Sequence, residues 1–495
     1  MRSAYLAGGG SLPSLLLLAL TAASPSRGQQ VPSAAPVVPP PQGVAPSPPP
    51  GALLGKDFLA PPKMSLSAAL EYALTHQPAV KAALARVSAR QADVGIPRGE
   101  WLPSVGLTAQ ALVGTVNNTT ASYLGAPLVP TPRVGGTTVT TGSGASWSPE
   151  PSTFAGLGVT QEVFDFGRIT AEVTAADSLV GVERLTAEAQ SLDVRLGVEE
   201  AYFAVYSAKA VLVASEEGFQ RARVHFDLAR VGVSSGLRSP IEQTRAAAEL
   251  ARLDIIQIRA RGSVRIAQTL FAAAVGAPEP ALDISDEPPV PADMPSFDVA
   301  VQRALQREPQ LQAALARIQA QEDETRAAFA QLRPDLSLAG TLNTRAGGAE
   351  PSGGGPSPAG KGWIPSVPNW QVGIVLSWPL FEGTLWGRGK ASQQREGVRR
   401  EEAALVQQEL VARVDSSYVS VSVAREALPR LQASVDAARA NYAQADARFR
   451  AGLGTSVELA DAESIRTDAE IGLALGEFEL ARSRAAFGRA IAEGM

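Results

Sequence analysis

The chain contains no cysteine. Disulfides, thiolate metal sites, a thiol nucleophile and a cysteine-linked lipid anchor are therefore excluded. Histidine is nearly as scarce. His76 and His225 are the only two; they fall on separate helical segments, and neither sits in an H-x-x-x-H metal spacing. Aromatic residues make up 5% of the 495 positions and charged residues 19%, with mean hydropathy near zero. The net charge of -5 is too mild, and the basic residues too scattered, for a surface that tracks phosphates, so no nucleic-acid partner is expected. Gly8-Gly9-Gly10 and Gly353-Gly354-Gly355 neither follow strands nor open helices with a G-K-S/T ending, so no phosphate cradle is expected. With no catalytic constellation, the expectation is a protein without cofactor, metal or enzymatic activity. Beyond the first residues no run of roughly 18 apolar residues occurs, and no transmembrane helix is expected.

What is present begins with an export signature. Arg2 supplies a positive charge, Leu15 to Leu20 an apolar run, and Thr21-Ala22-Ala23 small residues for cleavage, which reads as a signal peptide over 1–23. A Pro-, Ala-, Ser- and Val-rich stretch from Gln29 to Pro62 cannot form a packed core, and 24–63 is read as a disordered arm.

The remainder is one plan written twice. Ser67-Ala68-Ala69-Leu70, His76-Gln77-Pro78, Ala82-Ala83-Leu84-Ala85-Arg86 and Trp101-Leu102-Pro103 return in order. Their counterparts are Asp298-Val299-Ala300-Val301, Arg307-Glu308-Pro309, Ala313-Ala314-Leu315-Ala316-Arg317 and Leu332-Arg333-Pro334, about 231 positions on. Val163-Phe164-Asp165, Ala201-Tyr202 and Gly236-Leu237 likewise correspond to Leu380-Phe381-Glu382, Ser417-Tyr418 and Gly452-Leu453. Such a period is too long for a solenoid and indicates a tandem duplication. The first repeat is placed at 64–280 and the second at 296–495, with a linker at 281–295.

Each repeat reads helix, strand, loop, strand, long helix, return helix. Strands are expected at 104–116, 153–164, 335–344 and 370–380. Trp370, Val372, Ile374, Leu376 and Trp378 alternate with Gln371, Gly373, Val375 and Ser377, and the other three runs show the same period of two. Each is about the length that crosses a bilayer when tilted. Between paired strands, 117–152 and 345–369 are Gly-, Thr-, Ser- and Pro-rich and read as long loops. From Arg168 to about Val231 no proline intervenes, and from Leu385 to Arg450 only Pro429 does. Leu410, Val414, Ser417, Val421, Ala424, Leu428, Leu431, Val435, Ala438, Tyr442, Ala445 and Phe449 keep a four-three beat, the mark of coiled-coil packing. Pro429 is expected to kink its helix. Helical tips are expected near 232–240 and 450–456, where Gly236 and Gly452 allow the left-handed turn and Ser239 and Thr455 can cap the following helix.

Four strands cannot close a barrel, and an open edge in lipid leaves backbone groups unsatisfied. The chain must therefore oligomerise; two copies would give eight strands and three twelve, and physics alone does not choose.

The tandem plan, the Phe164-Asp165-Phe166-Gly167-Arg168 turn and the two Gly-Leu tips together resemble the TolC-like outer membrane efflux family over about residues 64 to 492. The resemblance implies a mainly α chain with a small β part, a tandem-duplicated long-helix α-barrel carrying four transmembrane strands, and a homotrimer closing a 12-stranded barrel. It implies residence in the outer membrane lipid of a Gram-negative-type bacterium, with the helices in the periplasm. The function implied is that of a passive exit duct of a tripartite efflux pump, joined to a periplasmic adaptor (membrane fusion protein) and indirectly to an inner-membrane pump. A duct for type I protein secretion fits the same features, and a soluble periplasmic coiled-coil adaptor or scaffold is the rival from another class. By the resemblance, Gly236, Leu237, Arg238, Gly452, Leu453 and Gly454 are adaptor-docking tips, and Glu242, Glu458 and Asp461 surround the periplasmic aperture. Relatives lock the closed state with an Arg and a Tyr near the second tip. Here those positions are Gly454 and Phe449, so any lock must use other groups, with Arg448 and Arg450 as candidates.

Overall fold

The computed structural model describes residues 62–115, 149–285, 294–346, 363–365 and 367–493. The signal segment, nearly all of the arm, both glycine triplets and most of the two long loops lie outside the described residues.

In chain order the first repeat comprises β1 (Lys63–Met64), α1 (Leu66–His76), α2 (Pro78–Asp93), α3 (Gly95–Gly99), β2 (Ser104–Thr115), β3 (Pro149–Phe164), α4 (Arg168–Ser234), α5 (Pro240–Val275) and β4 (Asp283–Ile284). The second comprises α6 (Phe297–Arg307), α7 (Pro309–Ala330), β5 (Asp335–Ala346), β6 (Val367–Ser377), α8 (Gly383–Arg450) and α9 (Ser456–Ala490). β1 and β4 form a short parallel pair, and β2-β3-β5-β6 form one antiparallel sheet in that order.

Local chemistry sets the breaks. Gln77 and Glu308 precede prolines and adopt extended backbone, as the proline ring demands. Pro78 and Pro309 then open α2 and α7, where a missing N–H costs nothing. The start of α4 is more elaborate. The buried Asp165 carboxylate accepts from the N–H of Gly167 at 2.9 Å and from that of Ile169. Phe166 and Gly167 take φ of 53° and 88°, so the chain passes from strand to helix in three residues. Glu382 stands at the corresponding place before α8 and makes no such cap. α4 has 67 residues and α8 has 68, each roughly 100 Å at about 1.5 Å per residue. α8 runs without a break through Pro429. Two residues on, the Leu431 side chain meets Gly472 and Gly476 of α9, and any Cβ at Gly476 would lie 2.3 Å from Leu431 Cδ1.

The duplication is visible in the packing. One core contains Ala69, Ala73 and Val80 with Val194, Val198, Val205, Phe271 and Val275. The other contains Ala300, Ala304 and Leu311 with Leu410, Val414, Val421, Phe487 and Ile491. These are the same eight positions of the repeat, met twice. The buried faces of α1 and α2 lie on α4, as those of α6 and α7 lie on α8. Near the strands the helices neighbour one another in the order α2, α4, α7, α8; toward the tips the order is α5, α4, α9, α8.

The repeats diverge at a contact that is part-buried in the first and buried in the second. The Gln77 amide donates to the carbonyls of Ala273 and Ala274 at the end of α5, at 3.1 and 2.9 Å. In the second repeat Glu308 takes this place and is clasped by Arg489 of α9, both carboxylate oxygens at 2.8 Å. Arg489 also reaches Asp193 of α4 at 2.6 Å.

Candidate functional site

The sheet has two unlike faces, and its register makes them explicit. Leu107, Leu157, Leu342 and Trp370 form one row across all four strands, and Val105, Val159, Gly340 and Val372 form the next. Leu338 and Ile374, then Leu336 and Leu376, continue this face on β5 and β6. Except at Gly340 and Leu336, these side chains are exposed. The rows of the opposite face read Gly106, Gly158, Thr341, Gln371 and then Thr108, Gly156, Asn343, Asn369. An exposed apolar band several strands wide, backed by a polar, glycine-rich face, is what a barrel wall presents to lipid on one side and to an aqueous lumen on the other. A soluble coiled-coil scaffold has no use for such a face. β2 and β6 are the sheet's edges, and each carries one row of unpaired backbone groups.

At the far end, the two tips share a backbone solution. After α4, the N–H of Gly236 bonds the carbonyl of Val233, and that of Leu237 bonds the carbonyl of Gly232, both at 3.0 Å. After α8, Gly452 bonds Phe449 at 3.1 Å and Leu453 bonds Arg448 at 2.9 Å. Gly236 and Gly452 have φ of 73° and 74°. Each is thus a Schellman turn, in which the residue after the glycine ordinarily folds back on its own helix. Here it does not: Leu237 is 84% exposed and Leu453 75%. Thr455 caps α9 by accepting from the N–H of Glu458 at 3.2 Å. Ser239 makes no side-chain cap; Pro240 and the Arg238–Glu242 pair occupy the start of α5 instead.

Arg238 stands where the second tip has Gly454, and it ties the hairpins together. Its guanidinium holds Glu242 at 2.9 Å, donates to the Phe449 carbonyl at 3.1 Å, and lies 3.7 Å above the centre of the Phe449 ring. Gly232 makes room, since a Cβ there would lie 2.6 Å from Arg238 Cδ. Arg448 and Arg450, the arginines suggested by sequence, stay within the second hairpin. Arg450 pairs with Asp446 one turn away, and Arg448 reaches Glu458 at 3.9 Å and the Leu453 carbonyl at 3.4 Å. Arg238 was legible only as a tip residue, because its reach to Phe449 joins positions 211 apart. Glu458 and Asp461 lie on the first turns of α9, and both are exposed.

Behind the tips lies a buried polar cluster that sequence patterning did not reveal. Arg221 of α4 bonds Glu463 of α9 at 2.8 and 3.1 Å. Glu470 accepts from Arg439 at 3.0 Å and Arg466 at 3.1 Å. Burial raises the pKa of Glu463, which Arg221 opposes without cancelling. Burial also acts against the Glu470 carboxylate, but there the bonds from Arg439 and Arg466 outweigh it, and the pKa is lowered. Burial pushes the Tyr442 phenol up to about 12, so it is a neutral hydroxyl. It sits 2.8 Å from His225 Nε2.

A family model described as outer membrane efflux protein matches residues 69–277 and 300–492, one match for each repeat. The chain belongs to the outer membrane efflux protein family, and it is an outer-membrane efflux channel. Protein CyaE of Bordetella pertussis is 26% identical over 408 residues, covering 81% of this chain and 78% of that protein. The Campylobacter jejuni outer membrane channel CmeC shares the fold with a TM-score of 0.68 at 17% identity, over 87% of this chain and 86% of its own. The outer-membrane channel OprN does so with 0.67 at 22%, over 87% and 90%. The open state of the Neisseria gonorrhoeae outer membrane channel MtrE does so with 0.63 at 18%, over 87% and 89%.

Proposed function

We propose that three copies of this chain close a twelve-stranded barrel in the outer membrane, continued by a periplasmic tunnel of α4, α5, α8 and α9, as the passive exit duct of a tripartite efflux pump. The observation that carries this reading is that every layer leaves the same two sides open. The sheet ends at β2 and β6, and the helices toward the tips end at α5 and α8. An edge of the first repeat thus always meets an edge of the second on the next copy. That is a head-to-tail interface, which closes into a ring. The helix edges also carry matching apolar groups. Ile266 and Leu270 are exposed on α5, and Val423 and Val419 on α8, at nearly equal distances along the chain from Gly236 and Gly452. Eight strands from two copies would also satisfy the hydrogen bonds; the family resemblance selects three.

The outward-facing Leu237 and Leu453 support adaptor docking at the tips, since an apolar group left off its own helix end is free for a partner's. Glu458 and Asp461 would then ring the mouth with negative charge and favour cations, beside Glu242, whose charge Arg238 offsets.

The absence of cysteine makes a clean test. Ile266→Cys combined with Val423→Cys should give covalent dimers and trimers on oxidation of detergent-purified protein, because the two positions would meet across copies. The same protein should conduct ions in a planar bilayer. A monodisperse, water-soluble monomer with no cross-linked product would end the reading.

A further inference from the structure

We infer that His225 is a proton switch on the contact that ties the two helical hairpins, so that neutral pH keeps the tips bound and acid releases them. The inference rests on reading the tips as the mouth of the duct, and it assigns that mouth a regulator.

Phe449 of α8 is the shared part. Its carbonyl and ring hold Arg238 of the first tip, and the same ring meets the His225 ring edge-on, with centroids 6.3 Å apart and planes at 86°. Phe449 is 2% exposed, so it cannot shift without disturbing what packs on it. His225 Nε2 is engaged by the Tyr442 hydroxyl at 2.8 Å, whereas its Nδ1 is buried with no hydrogen-bond partner among the described residues. His225 and Phe449 together line a cavity of about 40 Å³, enough for about one water molecule.

A neutral imidazole suits this place as the Nε2–H tautomer, which donates to the Tyr442 hydroxyl and leaves at Nδ1 a bare acceptor rather than an N–H. An imidazolium is a donor at both nitrogens, and the second N–H faces a small, mostly apolar cavity with no protein acceptor among the described residues. The charged groups around it do not rescue the cation. On its own helix, Arg221 lies one turn away and opposes it. On α8, Arg450 opposes it and Asp446 favours it, but Asp446 is already paired with Arg450 at 2.9 Å. From α9, Glu463 is taken by Arg221 at 2.8 Å. From α5, Arg245 and Glu249 line the same cavity, with Glu249 held by Arg252 at 2.7 Å. Burial is the largest effect and holds the His225 pKa below the ordinary 6.5.

The sign follows by linkage. Once the tips part and water reaches the ring, the imidazole returns to its ordinary pKa. The parted state therefore binds more protons than the tied state as pH falls from about 6.5. Stability of the tied state is full above that value and is lost through the acid range down to the lowered pKa of the tied state. Protonation then displaces Phe449, and with it the seat of Arg238.

The test is planar-bilayer conductance of the full-length trimer between pH 7.5 and pH 5, for wild type, His225→Gln, His76→Asn and Arg238→Ala. Wild type and His76→Asn should show a several-fold rise in conductance on acidification. His225→Gln should be flat with pH, and Arg238→Ala should be open at both ends of the range. Because His76 is the only other histidine, the His76→Asn trimer also allows the His225 imidazole to be titrated alone by histidine-labelled NMR. A wild type without pH response, a response that survives in His225→Gln, or an imidazole titrating at or above 6.5 would overturn the switch. An Arg238→Ala trimer that conducts at no pH would overturn the duct reading, and the switch with it.

Discussion

The Glu308–Arg489 contact offers a quantitative experiment, because the first repeat supplies its own control. Glu308 is 1% exposed and the Arg489 side chain 6%. Arg489→Ala leaves a carboxylate in the interior with no counter-charge, a change that costs about 3–5 kcal/mol. The lost contact to Asp193 adds little, since that side chain is 46% exposed and water takes over. Adding Glu308→Gln converts the site to the chemistry of the first repeat. Ala273 of α5 stands where Arg489 stands in α9, and Gln77 where Glu308 stands. The new amide can then donate to the carbonyls ending α9, as Gln77 does to those of Ala273 and Ala274. Each such neutral bond is worth about 0.5–1.5 kcal/mol, and the buried charge is gone, so the double variant should recover most of the loss. The assay is the temperature at which detergent-solubilised trimers dissociate on a gel, for wild type, both single variants and the double. The expected order places Arg489→Ala lowest and Arg489→Ala/Glu308→Gln near wild type. A double variant no more stable than Arg489→Ala would refute the argument that an unpaired buried charge is what hurts.

Other outcomes follow from the same structure. Gly389→Ala places a Cβ 2.5 Å from the Phe329 ring and should cost about 1–3 kcal/mol through overpacking. Gly181→Ala on α4 meets nothing within 4 Å and should gain about 0.5–1 kcal/mol from helix propensity; thermal dissociation should move in opposite directions for the two. Leu237→Ser with Leu453→Ser should leave trimer assembly unchanged, since both side chains point away from the protein, while drug tolerance falls in a strain that depends on this duct. Glu458→Ala with Asp461→Ala should weaken cation preference in reversal-potential measurements; an unchanged preference would remove these residues from the aperture.

The class of fold was legible because both of its periodicities are strong. A beat of four and three over some forty residues of α8, and alternation such as Trp370 to Leu376, leave little freedom for another architecture. The duplication was legible because Gln77-Pro78 and Glu308-Pro309 perform the same local act. What escaped the sequence depends on distance in space. Arg238 was readable as a tip residue but not as the tie to Phe449. Arg221, Glu463 and Glu470 belong to no sequence motif, yet the antiparallel return of α9 buries two of them and half-buries the third. Gly232 carried no motif, and its use appears only once the Arg238 stem is seen lying over it. Pro429, expected to kink its helix, lies inside an α8 that continues on both sides of it, and what the sequence did not show is the close approach of Leu431, two residues on, to Gly472 and Gly476.

The four-stranded sheet bears on the order of assembly. A single copy that has completed its helices but met no other carries two bare strand edges and a greasy wall, a poor state in which to enter lipid and a hazardous one in which to remain in water. The helix edges can dock in water, because Ile266, Leu270, Val419 and Val423 lie among charged and polar neighbours. In the proposed ring, helical pairing would gather the strand edges of separate copies before any of them leaves solvent, and the wall would reach the bilayer already closed.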